Sequence, residues 1–107
     1  MAGEHIKHLT DEGFEATIET GLTLVDFFAD WCGPCRMLAP VFEEVSDELH
    51  EAVTFGKLDI DKNSGAATKY QVTSVPTLIL FKDGEEVYRK VGLADAGTIK
   101  EFIAATI

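Results

Sequence analysis

Basic residues are scarce in this sequence and are not clustered. Nine lysines and arginines stand against 19 aspartates and glutamates, so the formal net charge is −10. A negative excess of this size repels phosphate backbones and anionic lipid headgroups. We therefore expect neither nucleic acid nor a membrane surface as a partner, and we attribute the acidic excess to solubility.

The sequence also lacks long apolar runs and has only two cysteines. No segment reaches the roughly 18 apolar residues that indicate a membrane span, and residues 1–9 lack the basic and then apolar pattern of an export signal. Two cysteines are too few for the disulfide framework of a small secreted protein. We expect a cytoplasmic, monomeric protein with a single domain over residues 1–107.

The hydrophobic pattern alternates between strands and helices along the chain. Strands are predicted at residues 6–9, 22–29, 53–60, 77–81 and 86–91, and helices at residues 11–20, 35–50, 64–70 and from about 95 onward. The second strand is apolar on both faces, which is typical of a central strand, and Asp83-Gly84 predicts a tight hairpin between the last two strands. The order βαβαβαββα predicts an α/β protein with three layers, α/β/α, around a five-stranded mixed sheet.

The two cysteines stand in the segment Trp31-Cys32-Gly33-Pro34-Cys35, between the central strand and the longest helix. Open α/β sheets carry functional groups at this end of their strands. A thiol at a helix N-terminus is favoured as a thiolate, because unpaired N–H groups and the helix dipole stabilise an anion there. We expect Cys32 to be the attacking nucleophile, and Cys35, one turn inside and more shielded, to resolve a mixed disulfide. Pro34 suits the first helical turn, since it has no N–H group to satisfy.

Two further interpretations fit a Cys-x-x-Cys pair, namely two inert thiols and half of a metal site. A structural zinc site needs two further ligands, and histidine supplies only three candidates, His5, His8 and His50. His5 and His8 flank a predicted edge strand far along the chain from the cysteines. The position between strand and helix favours redox chemistry, and we expect neither a metal nor a cofactor.

Asp26 interrupts an otherwise apolar segment of the central strand. An ionised carboxylate is costly there unless it is paired, so burial should raise its pKa. Two interpretations fit the residues alone. Asp26 is either an acid–base group for the cysteines or a carboxylate at a strand edge that is bonded to backbone or water.

Taken together, these residues resemble the thioredoxin family over nearly the whole chain. The matching segments are Val25-Asp26-Phe27, Trp31-Cys32-Gly33-Pro34-Cys35, Val75-Pro76-Thr77, Asp83-Gly84 and Val91-Gly92, in the family's order. The resemblance implies the thioredoxin fold and an enzyme, a thiol-disulfide oxidoreductase. Such an enzyme donates electrons to disulfide-containing protein substrates and is itself reduced by thioredoxin reductase.

The resemblance also implies roles for individual residues. Asp26 would lie beneath Cys35 and exchange protons with it, with Lys57 as the usual partner of the carboxylate. Pro76 would follow a cis peptide bond and face the cysteines, although the sequence alone favours a trans proline at the start of a strand. Substrate contacts are implied at Trp31, Gly33, Pro34, Val75, Pro76 and Gly92, with Ile60 and Leu93 on the same apolar rim.

Three positions depart from the family pattern, namely Phe28 in place of a second tryptophan, Arg36 in place of lysine and Ser74 in place of glycine. We expect them to affect the choice of partner and not the chemistry. The same fold could serve an oxidant or isomerase, but such relatives usually carry a histidine between the cysteines, so Gly33-Pro34 favours a reductant. A third hypothesis is a binding module that uses the apolar rim without redox turnover.

Overall fold

The computed structural model describes residues 3–107 and contains one five-stranded sheet with helices on both faces. The strands β1 to β5 are Ile6–His8, Leu22–Phe28, Val53–Asp59, Thr77–Lys82 and Glu85–Val91, and the helices α1 to α4 are Phe14–Ile18, Gly33–Leu49, Ser64–Lys69 and Ala96–Thr106. This order confirms the βαβαβαββα prediction. Helix α1 is shorter than residues 11–20, because the Asp11 carboxylate accepts hydrogen bonds from the first turn of α3 and does not begin a helix of its own.

The strand order in the sheet is β1-β3-β2-β4-β5. Strand β2 pairs parallel with β3 and antiparallel with β4, so it is central, as its apolar sequence predicted. Asp83 (φ 51°) and Gly84 (φ 87°) both adopt the left-handed conformation that a two-residue hairpin turn requires, and they join β4 to β5. No helix within residues 3–107 is long and apolar enough to cross a membrane.

The two faces of the sheet pack separate apolar clusters. One cluster contains Leu24 of β2 and Phe55 of β3 together with side chains of α2 and α4. The other contains Val25, Phe27 and Leu58 together with side chains of α1 and α3. Because side chains alternate along a strand, Asp26 and Lys57 lie on the face that α2 covers, the same helix that carries the cysteines.

Candidate active site

Cys32 and Cys35 form a disulfide where β2 leads into α2. Cys32 is the N-cap residue of α2, and its Sγ accepts a hydrogen bond from the Cys35 backbone N–H at 3.2 Å. Gly33 and Pro34 occupy the first two helical positions, where a missing N–H group costs nothing. An N–H group directed at Sγ at a helix N-terminus stabilises negative charge on that sulfur once the disulfide is opened. The geometry therefore favours a thiolate at Cys32.

Exposure does not distinguish the two cysteines, since each residue is 4% exposed. The expectation that Cys35 is the more shielded of the pair is not met, because the 74–76 loop lies against Cys32. Its Sγ lies 3.6 Å from the carbonyl oxygen of Val75. The cysteines differ in surroundings instead, since Cys35 lines a cavity of about 160 Å³ together with Phe28 and Lys57.

The loop that precedes β4 brings Val75 against the disulfide. The Val75–Pro76 peptide bond is cis, as the resemblance implied. Thr77 Oγ1 donates to the Ser74 carbonyl oxygen at 2.7 Å, and the Gly92 N–H donates to the Pro76 carbonyl oxygen at 2.9 Å. A hydrogen bond thus joins Pro76 and Gly92, and Val75 lies within the turn that the Thr77–Ser74 hydrogen bond closes.

The predicted contact residues differ in accessibility. Trp31, Pro34 and Leu93 are exposed, Gly33, Ile60, Val75 and Gly92 are half-buried, and Pro76 is buried. Trp31 is 68% exposed, yet its indole N–H donates to Asp61 Oδ2 at 2.8 Å, which fixes the ring beside the disulfide. An exposed apolar ring held in one orientation is well suited to contact another molecule.

Asp26 is fully buried in the middle of the sheet, with 0% exposure. Neither of its carboxylate oxygens has a hydrogen-bond partner within residues 3–107. Burial raises the pKa of Asp26 to about 7, and the positive charge of Lys57 opposes that rise only in part. The alternative placed this carboxylate at a strand edge, bonded to backbone or water. The strand-edge placement is wrong, because β2 is central, and no described backbone group donates to Asp26.

Lys57 stands directly opposite Asp26 in the register of β2 and β3. Its ammonium group lies 4.7 Å from the centroid of the Phe28 ring. Among the ion pairs of residues 3–107, none joins Lys57 to Asp26. The two residues that the resemblance made partners are therefore paired in register and interact through charge, but they form no ion pair.

Comparisons with known proteins agree with this geometry. A family model described as Thioredoxin matches residues 5–105. The thioredoxin of Chlamydia pneumoniae is 55% identical over 102 residues, which is 95% of each chain. The thioredoxin of Chlamydia trachomatis serovar D is 50% identical over 92% of this chain and 96% of its own, and that of Staphylococcus epidermidis is 47% identical over 92% and 94%.

The chain belongs to the thioredoxin family. It is a thiol-disulfide oxidoreductase with a Cys-x-x-Cys pair at bonding distance, and its function is that of a disulfide reductant. Members of the thioredoxin family act on disulfide substrates in general. The predicted fold and enzyme class are confirmed for this chain.

Sequence reasoning missed two residues of this thioredoxin-type site. Asp61 accepts the hydrogen bond of the Trp31 ring from a position 30 residues away, and no local sequence pattern predicts this contact. Phe28 is noticeable in the sequence only as a departure from the family, yet its ring contacts Lys57. Phe28 also lines the cavity beside Cys35, so it lies closer to the reacting groups than its place in the sequence indicated.

Proposed function

We propose that the protein reduces protein disulfides through a mixed disulfide at Cys32. The Cys32 thiolate attacks one sulfur of the substrate disulfide, which breaks that S–S bond, forms a Cys32–substrate disulfide and releases the second substrate sulfur as a thiolate that takes a proton. The observation that carries this assignment is the Cys35 N–H directed at Cys32 Sγ from the N-terminus of α2.

In the second step Cys35 resolves the mixed disulfide. Its thiol loses a proton to the Asp26 carboxylate, and the resulting thiolate attacks Cys32 Sγ, which breaks the bond to the substrate and forms the Cys32–Cys35 disulfide. The substrate leaves with both sulfurs reduced and the protein holds the two-electron oxidised pair. A pKa near 7 suits Asp26 to accept and return a proton at neutral pH.

The apolar rim supplies the substrate contacts in this proposal. Trp31 and Pro34 present exposed apolar surface, and Gly33, Val75, Pro76 and Gly92 lie beside it, with Pro76 fixing the loop from its buried position. The Val75 backbone flanks Cys32 Sγ at 3.6 Å, where an extended substrate segment could pair with it.

We further propose thioredoxin reductase as the electron donor, a cytoplasmic location, a monomer, and a single domain over residues 1–107. The single domain is supported by a family match over residues 5–105 and by relatives whose own length is covered to 94–96%. The location is supported by cysteines that form one exchangeable pair and no framework. Size-exclusion chromatography with light scattering tests the monomer.

Trapping tests the assignment of the two cysteines. Cys35→Ser should accumulate a covalent adduct with a protein disulfide such as insulin, because attack proceeds and resolution does not. Cys32→Ser should form no adduct, and both variants should lose turnover with dithiothreitol as reductant. Adducts of equal yield from both variants would overturn the order of attack.

A redox titration distinguishes the direction of electron flow. In dithiothreitol buffers of graded potential, with Trp31 fluorescence as the signal, a reductant shows a two-electron transition below the cytosolic glutathione potential. A markedly higher potential would instead indicate an oxidant or isomerase. Absence of any transition, with thiol counting in agreement, would favour the binding module.

A further inference from the structure

Lys57 faces the Asp26 carboxylate across β2 and β3 but forms no ion pair with it. Asp26 and Phe28 are two residues apart on β2 and therefore share the face that α2 covers. Lys57, opposite Asp26 on β3, thus has a carboxylate and an aromatic ring as neighbours on one face. Its ammonium lies 4.7 Å from the ring centroid, whereas Asp26 keeps both oxygens without a hydrogen-bond partner in residues 3–107.

We propose that Phe28 is a positioning residue for proton transfer, whose ring holds the Lys57 ammonium at the cavity and thereby limits how strongly Lys57 stabilises the Asp26 carboxylate. This inference rests on the proposed acid–base role of Asp26.

A physical reason favours the ring over the carboxylate as the partner of the ammonium. Phe28 and Lys57 both line the cavity beside Cys35 and a second cavity next to His8, and both are half-buried, so an ammonium on the ring keeps part of its hydration. Asp26 is fully buried, and contact with it would require the ammonium to lose its water. An ammonium over an aromatic face is attracted by the ring quadrupole and does not pay this penalty.

The consequence follows from the distance dependence of the Coulomb interaction. A positive charge held farther from Asp26 stabilises the ionised carboxylate less, so the proton is retained to higher pH. A tryptophan at position 28 would offer a stronger face for the cation, and an aliphatic residue would offer none. The residue at this position therefore adjusts the pH range in which Asp26 can accept the Cys35 proton.

Other charged groups also face Lys57 and must be controlled. His8 stands opposite it in the register of β1 and β3. The remaining charged side chains that line its cavities are Asp30, Asp59 and Lys62, together with Arg36 and Glu43 of α2. Because His8 is the only imidazole in this group, a His8→Gln background removes its contribution to any pH-dependent signal.

The test is the titration of Asp26 in the oxidised full-length protein, followed by the carboxyl ¹³C shift. Phe28→Leu should lower the midpoint by roughly half a pH unit to one unit, because the freed ammonium can approach Asp26. Phe28→Trp should leave the midpoint unchanged or raise it slightly. The same results are expected in the His8→Gln background.

A second background, Lys57→Met, tests whether the shift depends on the interaction between the Phe28 ring and the Lys57 ammonium. Lys57→Met should raise the Asp26 midpoint by itself, and in that background Phe28→Leu should no longer lower it. An unchanged midpoint in Phe28→Leu, or an equal shift with and without Lys57, would overturn the proposal. Retained near-UV circular dichroism in each variant verifies that the fold is intact.

Failure of the proposed role of Phe28 can be distinguished from failure of the proposed function. If Phe28→Leu moves the Asp26 midpoint but the pH profile of disulfide reduction does not follow, Phe28 does control the effect of Lys57 on Asp26, but the acid–base role of Asp26 fails and with it the role of Phe28 in proton transfer. If neither the midpoint nor the profile moves while Cys35→Ser still traps substrate, the mechanism stands and the role of Phe28 fails.

Discussion

Carboxylates have opposite surroundings in two regions of the molecule. One region is the redox end, around Cys32 and Cys35, and the other is the side that carries helix α3. Asp26 at the redox end is fully buried and has no hydrogen-bond partner in residues 3–107. On the α3 side, the exposed Asp11 accepts from the N–H groups of Gly65 at 2.9 Å and Ala66 at 2.8 Å, and its own N–H donates to Asn63 Oδ1. A costly polar group is thus retained where the proposed mechanism uses a mobile proton, and paired polar groups occur on the side of the molecule to which no chemistry is assigned.

The far end of α3 follows the second pattern. Arg89 Nη2 donates to the Tyr70 carbonyl oxygen at 2.6 Å, and Nη1 donates to that of Gln71 at 3.3 Å. The same guanidinium makes two hydrogen bonds of 2.8 Å to Glu86. Helix α3 has only 6 residues, and both of its ends are closed by side chains from other parts of the chain. Such a short helix depends on these tertiary contacts.

Removal of the Asp26 carboxylate should change the free energy of unfolding more than removal of a paired carboxylate in either region. The folded-state pKa of Asp26 is raised from 3.8 to about 7, so the folded protein retains a proton that the unfolded chain releases between these values. The part of the cost of Asp26 that depends on its charge is therefore absent below about pH 4 and grows as the pH rises to about 7. We expect Asp26→Ala to raise the free energy of unfolding by about 2 to 4 kcal/mol at pH 8 and far less at pH 4.

Denaturant unfolding at both pH values measures this effect, and disulfide turnover measured alongside should slow at neutral pH. A pH-independent gain in stability would mean that burial of charge is not its cause. Unchanged turnover together with a destabilised fold would contradict both the acid–base role and the cost of the buried charge.

Sequence patterns predicted the features that depend on local chemistry. The order of elements, the Asp83-Gly84 turn and the burial of Asp26 follow from periodicity, turn residues and apolar neighbours. The contact of Lys57 with Phe28 could not be predicted, because strand pairing decides which side chains share a face and that pairing joins distant segments.

The length of α1 was overestimated for a related reason. Asp11 has the chemistry of a helix start, but it serves α3, whose first turn lies 54 residues further along the chain. Periodicity cannot reveal which helix a capping residue will serve. Likewise, the hydrogen bond between Trp31 and Asp61 joins two loops with no common pattern.

Loss of the Asp11 carboxylate should have the next largest effect, with opposite sign. Asp11→Ala leaves two N–H groups of α3 without their acceptor, so the free energy of unfolding should fall by about 1 to 2 kcal/mol. Turnover should be unchanged, since Asp11 lies outside the proposed machinery. Glu12→Ala, at an exposed neighbouring position, is the matched control and should change stability little. A loss of turnover in folded Asp11→Ala would show that the two regions are coupled.

Replacement of Arg89 tests the other end of α3 and should have a smaller effect. Arg89→Met keeps much of the aliphatic stem but removes the donors to the carbonyl groups of Tyr70 and Gln71, so we expect a loss of about 1 kcal/mol in unfolding free energy. Amide hydrogen exchange should accelerate locally in α3. Lys90→Met on the same strand is the control for loss of a positive charge. An equal loss of unfolding free energy in the two variants would mean that the positive charge stabilises the fold, and not the hydrogen bonds at the C-terminal end of α3.

The smallest effect on stability is expected at Asp61, which gives the redox end one paired carboxylate of its own. Asp61→Ala removes the acceptor of the Trp31 indole N–H, and because both residues are accessible the free energy of unfolding should change by less than about 0.5 kcal/mol. A freed ring must be ordered again whenever a protein substrate binds, so KM for a protein disulfide should rise roughly two- to tenfold. A small disulfide that does not reach the ring should show no change, and Asp61→Asn, which keeps an oxygen acceptor, should restore the KM. An equal rise in KM for large and small substrates would mean that Asp61 acts on the Cys32–Cys35 disulfide itself. Trp31 would then not contact protein substrates as part of the apolar rim.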